Sequence, residues 1–107
     1  MMKNFKQLKI WQTGKDIAVA TFRLSQTLDR SESFTFSSQI TRAALSISSN
    51  IAEGSSRKSK KDYARFIEIA LGSSFELETQ IEIMRELDII QKSEVDQLIE
   101  LINEEQR

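Results

Sequence analysis

The chain has 107 residues, 39% hydrophobic and 29% charged, with a formal net charge of −1, which fits one globular domain over residues 1–107. It contains no cysteine and no histidine, which removes disulfides, thiolate metal sites, cysteine nucleophiles, the commonest transition-metal ligand and the usual general base. No apolar run approaches the ~20 residues of a membrane span, and the N-terminus lacks the apolar core of a signal peptide, so the expected location is cytoplasmic with no membrane partner.

Proline is absent and glycine occurs three times, so the hydrophobic period carries most of the structural signal, and it is helical almost throughout. The spacing predicts a first helix over about Phe5–Leu28, followed by a short polar connection, DRSESFT. In that helix Gly14, Ala18, Thr21 and Ser25 form a small-residue seam. Ile10, Ile17, Leu24 and Leu28 flank it on one side, Trp11 and Phe22 on the other. This apolar arc of roughly 160° is wider than the ~100° stripe of a helix that faces only its own core. A second helix is expected over about Phe36–Glu53, with Ile40, Ala44, Ile47 and Ile51 on its buried face and Gly54 as a left-handed C-cap.

Ser59 followed by Asp62 imitates a capping box and predicts the start of a third helix. Its core face reads Tyr63, Phe66, Ile67, Ala70, Ser74, Leu77, Ile81 and Met84. A glycine inside a helix costs ~1 kcal/mol relative to alanine, so Gly72 needs a reason. The expectation is an unbroken helix in which Gly72, Ser73 and Ser74 let a neighbouring backbone come close. Ser93, with Glu94 and Asp96 behind it, predicts a fourth helix carrying Val95, Leu98, Ile99 and Ile102. Short connections between such helices imply an all-α, up-down-up-down antiparallel four-helix bundle.

Charge is unevenly spread. Residues 1–67 hold 12 Lys/Arg against 5 Asp/Glu, and residues 68–107 hold 3 against 11. The basic half ends in SRKSKKDY. Arg57 and Lys58 follow a helix C-terminus, where cations are favoured by about 0.3–1 kcal/mol. Lys60 and Lys61 open the next helix, where the dipole disfavours them. Cations beside free helix N–H groups suit an anion such as phosphate. Arg57, Lys58, Lys60 and Lys61 are therefore candidate contacts to an RNA or DNA backbone, and a solvated turn is the competing reading.

On the third helix Ala64, Leu71 and Phe75 point away from the core stripe, into a face carrying Glu68, Glu78, Glu82 and Glu86. Leu71 and Phe75 are neighbours at i, i+4 and form a patch. Together with Ile10 and Leu24 they are candidate oligomer-interface residues, with Lys9 and Arg23 of the first helix meeting the acidic rim of another copy. Arg42, Asn50, Glu53 and Glu76 read as a structural polar network or as plain solvent-exposed residues, with a partner on the third helix within reach of Arg42 or Glu53, and a hard cation on the Glu side chains is the functional alternative. The serines of SISSN lack any base to activate them, so the expectation is no enzyme, and no metal or cofactor is called for.

FKQLKIWQTGKDI, SSQITRAALSISSNIAEGSSR and FIEIALGSSFELETQIEI resemble, in this order, the four-helix bundle proteins encoded in intervening sequences of bacterial 23S rRNA genes. Asn50, Glu53, Gly54 and Gly72 lie in that signature, and Ser48 stands where many members carry proline. The accessory protein of diversity-generating retroelements looks like a more basic relative. The resemblance implies a homopentameric ring without known enzymatic activity. For the retroelement relative it also implies binding to a reverse transcriptase and to nucleic acid. The two functional expectations are an assembly or accessory protein that contacts nucleic-acid phosphates, and a purely protein-binding oligomeric scaffold.

Overall fold

The structure, a computed structural model, describes residues 4–29, 31 and 33–107. Arg30 and Glu32 of the expected DRSESFT connection lie outside the described residues. Four α-helices account for most of the chain: α1 (Lys9–Ser25), α2 (Ser38–Ser55), α3 (Lys60–Glu86) and α4 (Lys92–Gln106). There is no strand among the described residues.

The first helix is shorter than its periodicity suggests, for local reasons at both ends. Asn4 accepts a hydrogen bond from the Lys6 amide and starts a 3-10 turn, Phe5–Gln7. Leu8 is extended (φ −71°, ψ 129°), so α1 begins only at Lys9. At the other end the Ser25 and Thr27 hydroxyls donate to the carbonyls of Phe22 and Leu24 at 2.6 and 2.8 Å. Such local bonds compete with helix continuation, and α1 stops at Ser25 instead of running to Leu28.

A π-helical stretch, Ser33–Ser37, leads into α2. That helix runs unbroken through Ser48 and ends one residue past Gly54. No glycine has a positive φ, so Gly54 is not a left-handed cap. Its role is steric: a Cβ there would lie 2.7 Å from the Phe66 Cβ and 3.3 Å from Tyr63 Cδ1. The end of α2 is closed instead by the hydroxyls of Ser55 and Ser56, which donate to the carbonyls of Ala52 and Glu53.

Ser59 caps α3 as its spacing predicts, accepting from the Asp62 amide at 3.0 Å. The helix passes through Gly72 without a break and spans 27 residues, about 40 Å at 1.5 Å per residue. It sets the 44 Å long dimension of the molecule. Asp88, with φ 57°, ends it: the amides of Asp88 and Ile89 donate to Arg85 and Met84 at 3.0 Å. This is a Schellman motif with aspartate in place of the usual glycine. The fourth helix starts at Lys92 with Gln91 at its N-cap position and no side-chain cap, so Ser93 is not the cap.

Contacts between the helices run in opposite chain directions. Thr13 of α1 meets Glu104 of α4, and Arg23 of α1 and Glu94 near the start of α4 line one surface hollow. Ser46 meets Ser73 across α2 and α3, while Gly54 faces Phe66. Arg85 meets Asp96, and Gln106 meets Glu78. Each of α1 and α3 packs against both α2 and α4, which places α1 and α3 on a diagonal with their outer faces turned apart. The predicted stripes of α2, α3 and α4 converge on one core through Ile40, Ala44, Ile47 and Ile51, through Ala70, Leu77, Ile81 and Met84, and through Val95, Leu98 and Ile102, and α1 adds Ile17 and Leu24 to it.

Candidate nucleic-acid contact and subunit interface

The basic turn divides by burial and pairing. Arg57 is held: its Nη2 donates to Glu53 at 2.9 Å, and its guanidinium lies 4.7 Å from the centre of the Phe66 ring. Its Nε is buried without a partner among the described residues. Arg57 therefore covers Phe66 and pairs with Glu53 while leaving 41% of its side chain exposed. Lys58, Lys60 and Lys61 are exposed, and none of the ion pairs among the described residues involves them. The amides of Lys60 and Lys61 belong to the first turn of α3 and have no intrahelical acceptor, while Ser59 satisfies that of Asp62. Arg65, one turn further on and exposed, extends the cationic strip. Its i, i+4 spacing from Lys61 was the available signal for it. The turn thus presents point charges and free N–H groups, a surface suited to an anion.

Two apolar faces lie away from this turn. On α3 Leu71 and Phe75 are exposed, Phe75 by 50%, and Ile83 and Leu87 continue the exposure toward the helix end. Glu78, Glu82 and Glu86 line a shallow groove beside them. The second face joins α1 and α2, where exposed Val19, Phe22 and Leu45 surround a hollow of about 280 Å³ with Arg23 at its edge. Of the candidate interface residues on α1, Leu24 is 4% exposed and belongs to the core. It cannot meet another copy without opening that core. Ile10 is half-buried and packs on the core from its edge. The wide apolar arc of α1 does reach the surface, but through Val19 and Phe22, because α2 and α4 between them cover the Leu24 side.

Gly72 corrects another expectation. A Cβ added there meets nothing within 4 Å, so among the described residues no other element's backbone approaches it. The close approach instead involves its neighbours: Ser73 and Ser74 are buried, and Ser73 shares a 2.7 Å hydrogen bond with Ser46.

The polar residues of the helical signature do not gather into one site. Arg42 donates to Gln39 on its own helix, Glu53 accepts from Arg57, Glu76 accepts from Gln80, and Asn50 donates to the carbonyl and hydroxyl of Ser46. Arg42 and Glu53 take partners nearby in the chain, not on α3. No group of three or more Asp or Glu side chains disposed to hold a metal occurs among the described residues, and no described helix is long and apolar enough to cross a membrane. One notable residue carries no sequence signal. Glu105, in the polar tail of α4, turns its carboxylate inward, and burial, with Glu104 adding to it, pushes its pKa up to about 7.

Comparison with known proteins places this geometry. No curated protein matches the chain. Among solved structures, a protein of unknown function from the S23 ribosomal protein family of Bacteroides thetaiotaomicron superposes with a TM-score of 0.84, at 23% identity, over 91% of each chain. That likeness concerns the fold. The model of the 23S rRNA-intervening sequence protein family matches residues 6–107, a span that includes Asn50, Glu53, Gly54 and Gly72. The chain belongs to the 23S rRNA-intervening sequence protein family.

Proposed function

We propose that the protein is a non-enzymatic assembly factor. Its copies join through unlike surfaces, the outer face of α3 against the outer α1–α2 face of the next copy. The closed assembly presents Lys58, Lys60 and Lys61 to the phosphate backbone of RNA or DNA. The observation that carries this reading is Gly72. A glycine in the middle of a 27-residue helix gives up ~1 kcal/mol relative to alanine, and here it faces open space between exposed Leu71 and Phe75. Among the described residues nothing uses the missing side chain, whereas an element of another copy laid against α3 would. Charge supports the same pairing, since Glu78, Glu82 and Glu86 flank one face and Arg23 the other. A contact between two different surfaces closes into a ring or runs on as a filament, and five copies is the number the family resemblance implies. A protein such as a reverse transcriptase is a candidate partner of the assembly on the same resemblance.

A purely protein-binding scaffold is the second reading. It is favoured by Arg57, whose charge is taken up by Glu53 and whose face covers Phe66. The deciding experiment on assembly is light scattering of wild type and Phe75→Glu at micromolar concentration. The expected result is a multiple of the 12.3 kDa chain for wild type and a monomer of unchanged helicity for the variant. A monomeric wild type would overturn the reading.

A further inference from the structure

Ile102 is the last apolar residue of α4, and the turn that follows, residues 103–106, carries only polar side chains. Among the described residues, Glu105 of that turn is the carboxylate with both oxygens buried and no hydrogen-bond partner. Its carboxylate lies in the seam between α1 and α2, where a side chain on Gly14 would otherwise go. A Cβ on Gly14 would meet Glu105 Oε2 at 2.9 Å, Ile47 at 3.2 Å and Ser48 at 3.4 Å. The other contacts of the turn are mostly long. Thr13 donates to Glu104 at 3.4 Å, Lys9 pairs with Glu104 at 3.8 Å, and Gln106 donates to Ser74 at 3.4 Å and to Glu78 at 2.9 Å. Glu105 is thus the packed anchor of this turn.

Of the charged groups around it, Glu104 on the same turn acts on Glu105 and opposes its ionisation. Lys9 of α1 is turned to Glu104, and Glu78 of α3 accepts from Gln106. The α2 side of the seam is Ile47 and Ser48, which carry no charge, and no ion pair among the described residues joins Arg107 to Glu105. A carboxylate sealed without a counter-charge is costly, so the seated form is the protonated one. Both oxygens are covered, so the ionised group reaches water only when its surroundings move. We propose that Glu105 is a proton-controlled latch on α4. Protonated, it packs against Gly14 and holds the last turn in the α1–α2 seam. Ionised, it leaves for water and the turn leaves with it, since no apolar side chain beyond Ile102 remains to hold it. Release uncovers Gly14 and its neighbours in the seam and parts Gln106 from Glu78.

Hydrogen exchange of the full chain, read amide by amide by NMR and corrected for the intrinsic rate, tests this from about pH 5 to about pH 8. A carboxyl that titrates at 4.5 when released and at about 7 when seated makes opening more frequent by about thirtyfold between about pH 5 and about pH 7. Protection of the Glu104, Glu105 and Gln106 amides is expected to fall by that factor, from a level below that of Leu77 and Ile81 in α3. Glu105→Gln should hold the protection of the same amides level across the range. Level protection in wild type would overturn the proposal, because the carboxylate would then reach water by rotating its side chain alone. Protection as high as that of Leu77 and Ile81 would overturn it too, because the turn would then open only with the whole molecule. Where Glu105→Gln fails to fold, the carboxyl carbon resonance of Glu105 in wild type decides. It should titrate where the fall in protection levels off, and a midpoint at the ordinary 4.5 would sink the latch.

Discussion

The glycines show how one residue type serves opposite ends within this chain. Gly54 is required by contact, because a Cβ would press on the Phe66 Cβ at 2.7 Å, an atom fixed to its backbone. Gly54→Ala should therefore destabilise by about 1–3 kcal/mol, the usual range for overpacking, despite alanine's better helix propensity. Gly72 has open space, so Gly72→Ala in a Phe75→Glu protomer should stabilise by up to ~1 kcal/mol. Thermal denaturation of the two variants checks that the signs differ. Glu105 makes a second residue-scale prediction. Its carboxyl pKa is raised from 4.5 to about 7 by burial and then by Glu104. The charge acting on it is that of Glu104, which itself pairs with Lys9 at 3.8 Å. The folded state holds this proton more tightly than the unfolded chain does. Its contribution to stability is thus complete below about pH 4.5 and is lost as pH rises through about 7. The melting temperature should fall between about pH 5 and pH 8, and Glu105→Gln should flatten that slope.

At the scale of the element, α3 decides both proposed surfaces. Its N-terminus holds Lys60 and Lys61 against the helix dipole, with Asp62 in the same turn offsetting part of the cost. Its middle displays Leu71, Gly72 and Phe75, and its acidic C-terminal half faces outward beside Ile83 and Leu87. With Arg57 committed to Glu53, three lysines on the turn remain open. Three neutralised phosphates would give a log–log salt slope of about −2.7 on duplex DNA. A salt titration of binding should show a slope of that order per engaged subunit, reduced by about two thirds in Lys60→Ala/Lys61→Ala. Equal affinity and slope in the two proteins would remove the turn from the function.

For the whole molecule, the diagonal placement of α1 and α3 matters most. It turns the Leu71–Phe75 face and the Val19–Phe22–Leu45 face to different sides of a body only 22 by 18 Å in section. Patches so disposed favour a contact between unlike surfaces over a two-fold dimer. The Phe75→Glu scattering experiment belongs to this scale, since one charge at the centre of the patch should dissociate copies without touching the protomer core. Assembly would also alter the basic turn, because a weak phosphate contact repeated on each copy becomes a strong collective one.

Much of the fold could be read from the chain in order. The stripes from Ile40 to Ile51, Ala70 to Met84 and Val95 to Ile102 meet in the core, because a 3.6-residue period fixes which side chains share a face whatever lies opposite. The Ser59 cap was legible for the same local reason. Sequence periodicity could not assign the outer faces. Whether Leu24 or Phe22 is covered depends on where α2 and α4 lie around α1, and whether Gly54 or Gly72 is the tight glycine depends on which helix comes near. Glu105 was hidden in a run of polar residues, since nothing local turns one glutamate inward and its neighbour out. By itself the sequence determined helix identity, which side chains share a face, and the signature of the family, because helical period and capping act within a few residues. Only the tertiary structure decided which cation is already paired, which apolar residues remain exposed, and which carboxylate is buried, because pairing and burial depend on neighbours distant in the chain.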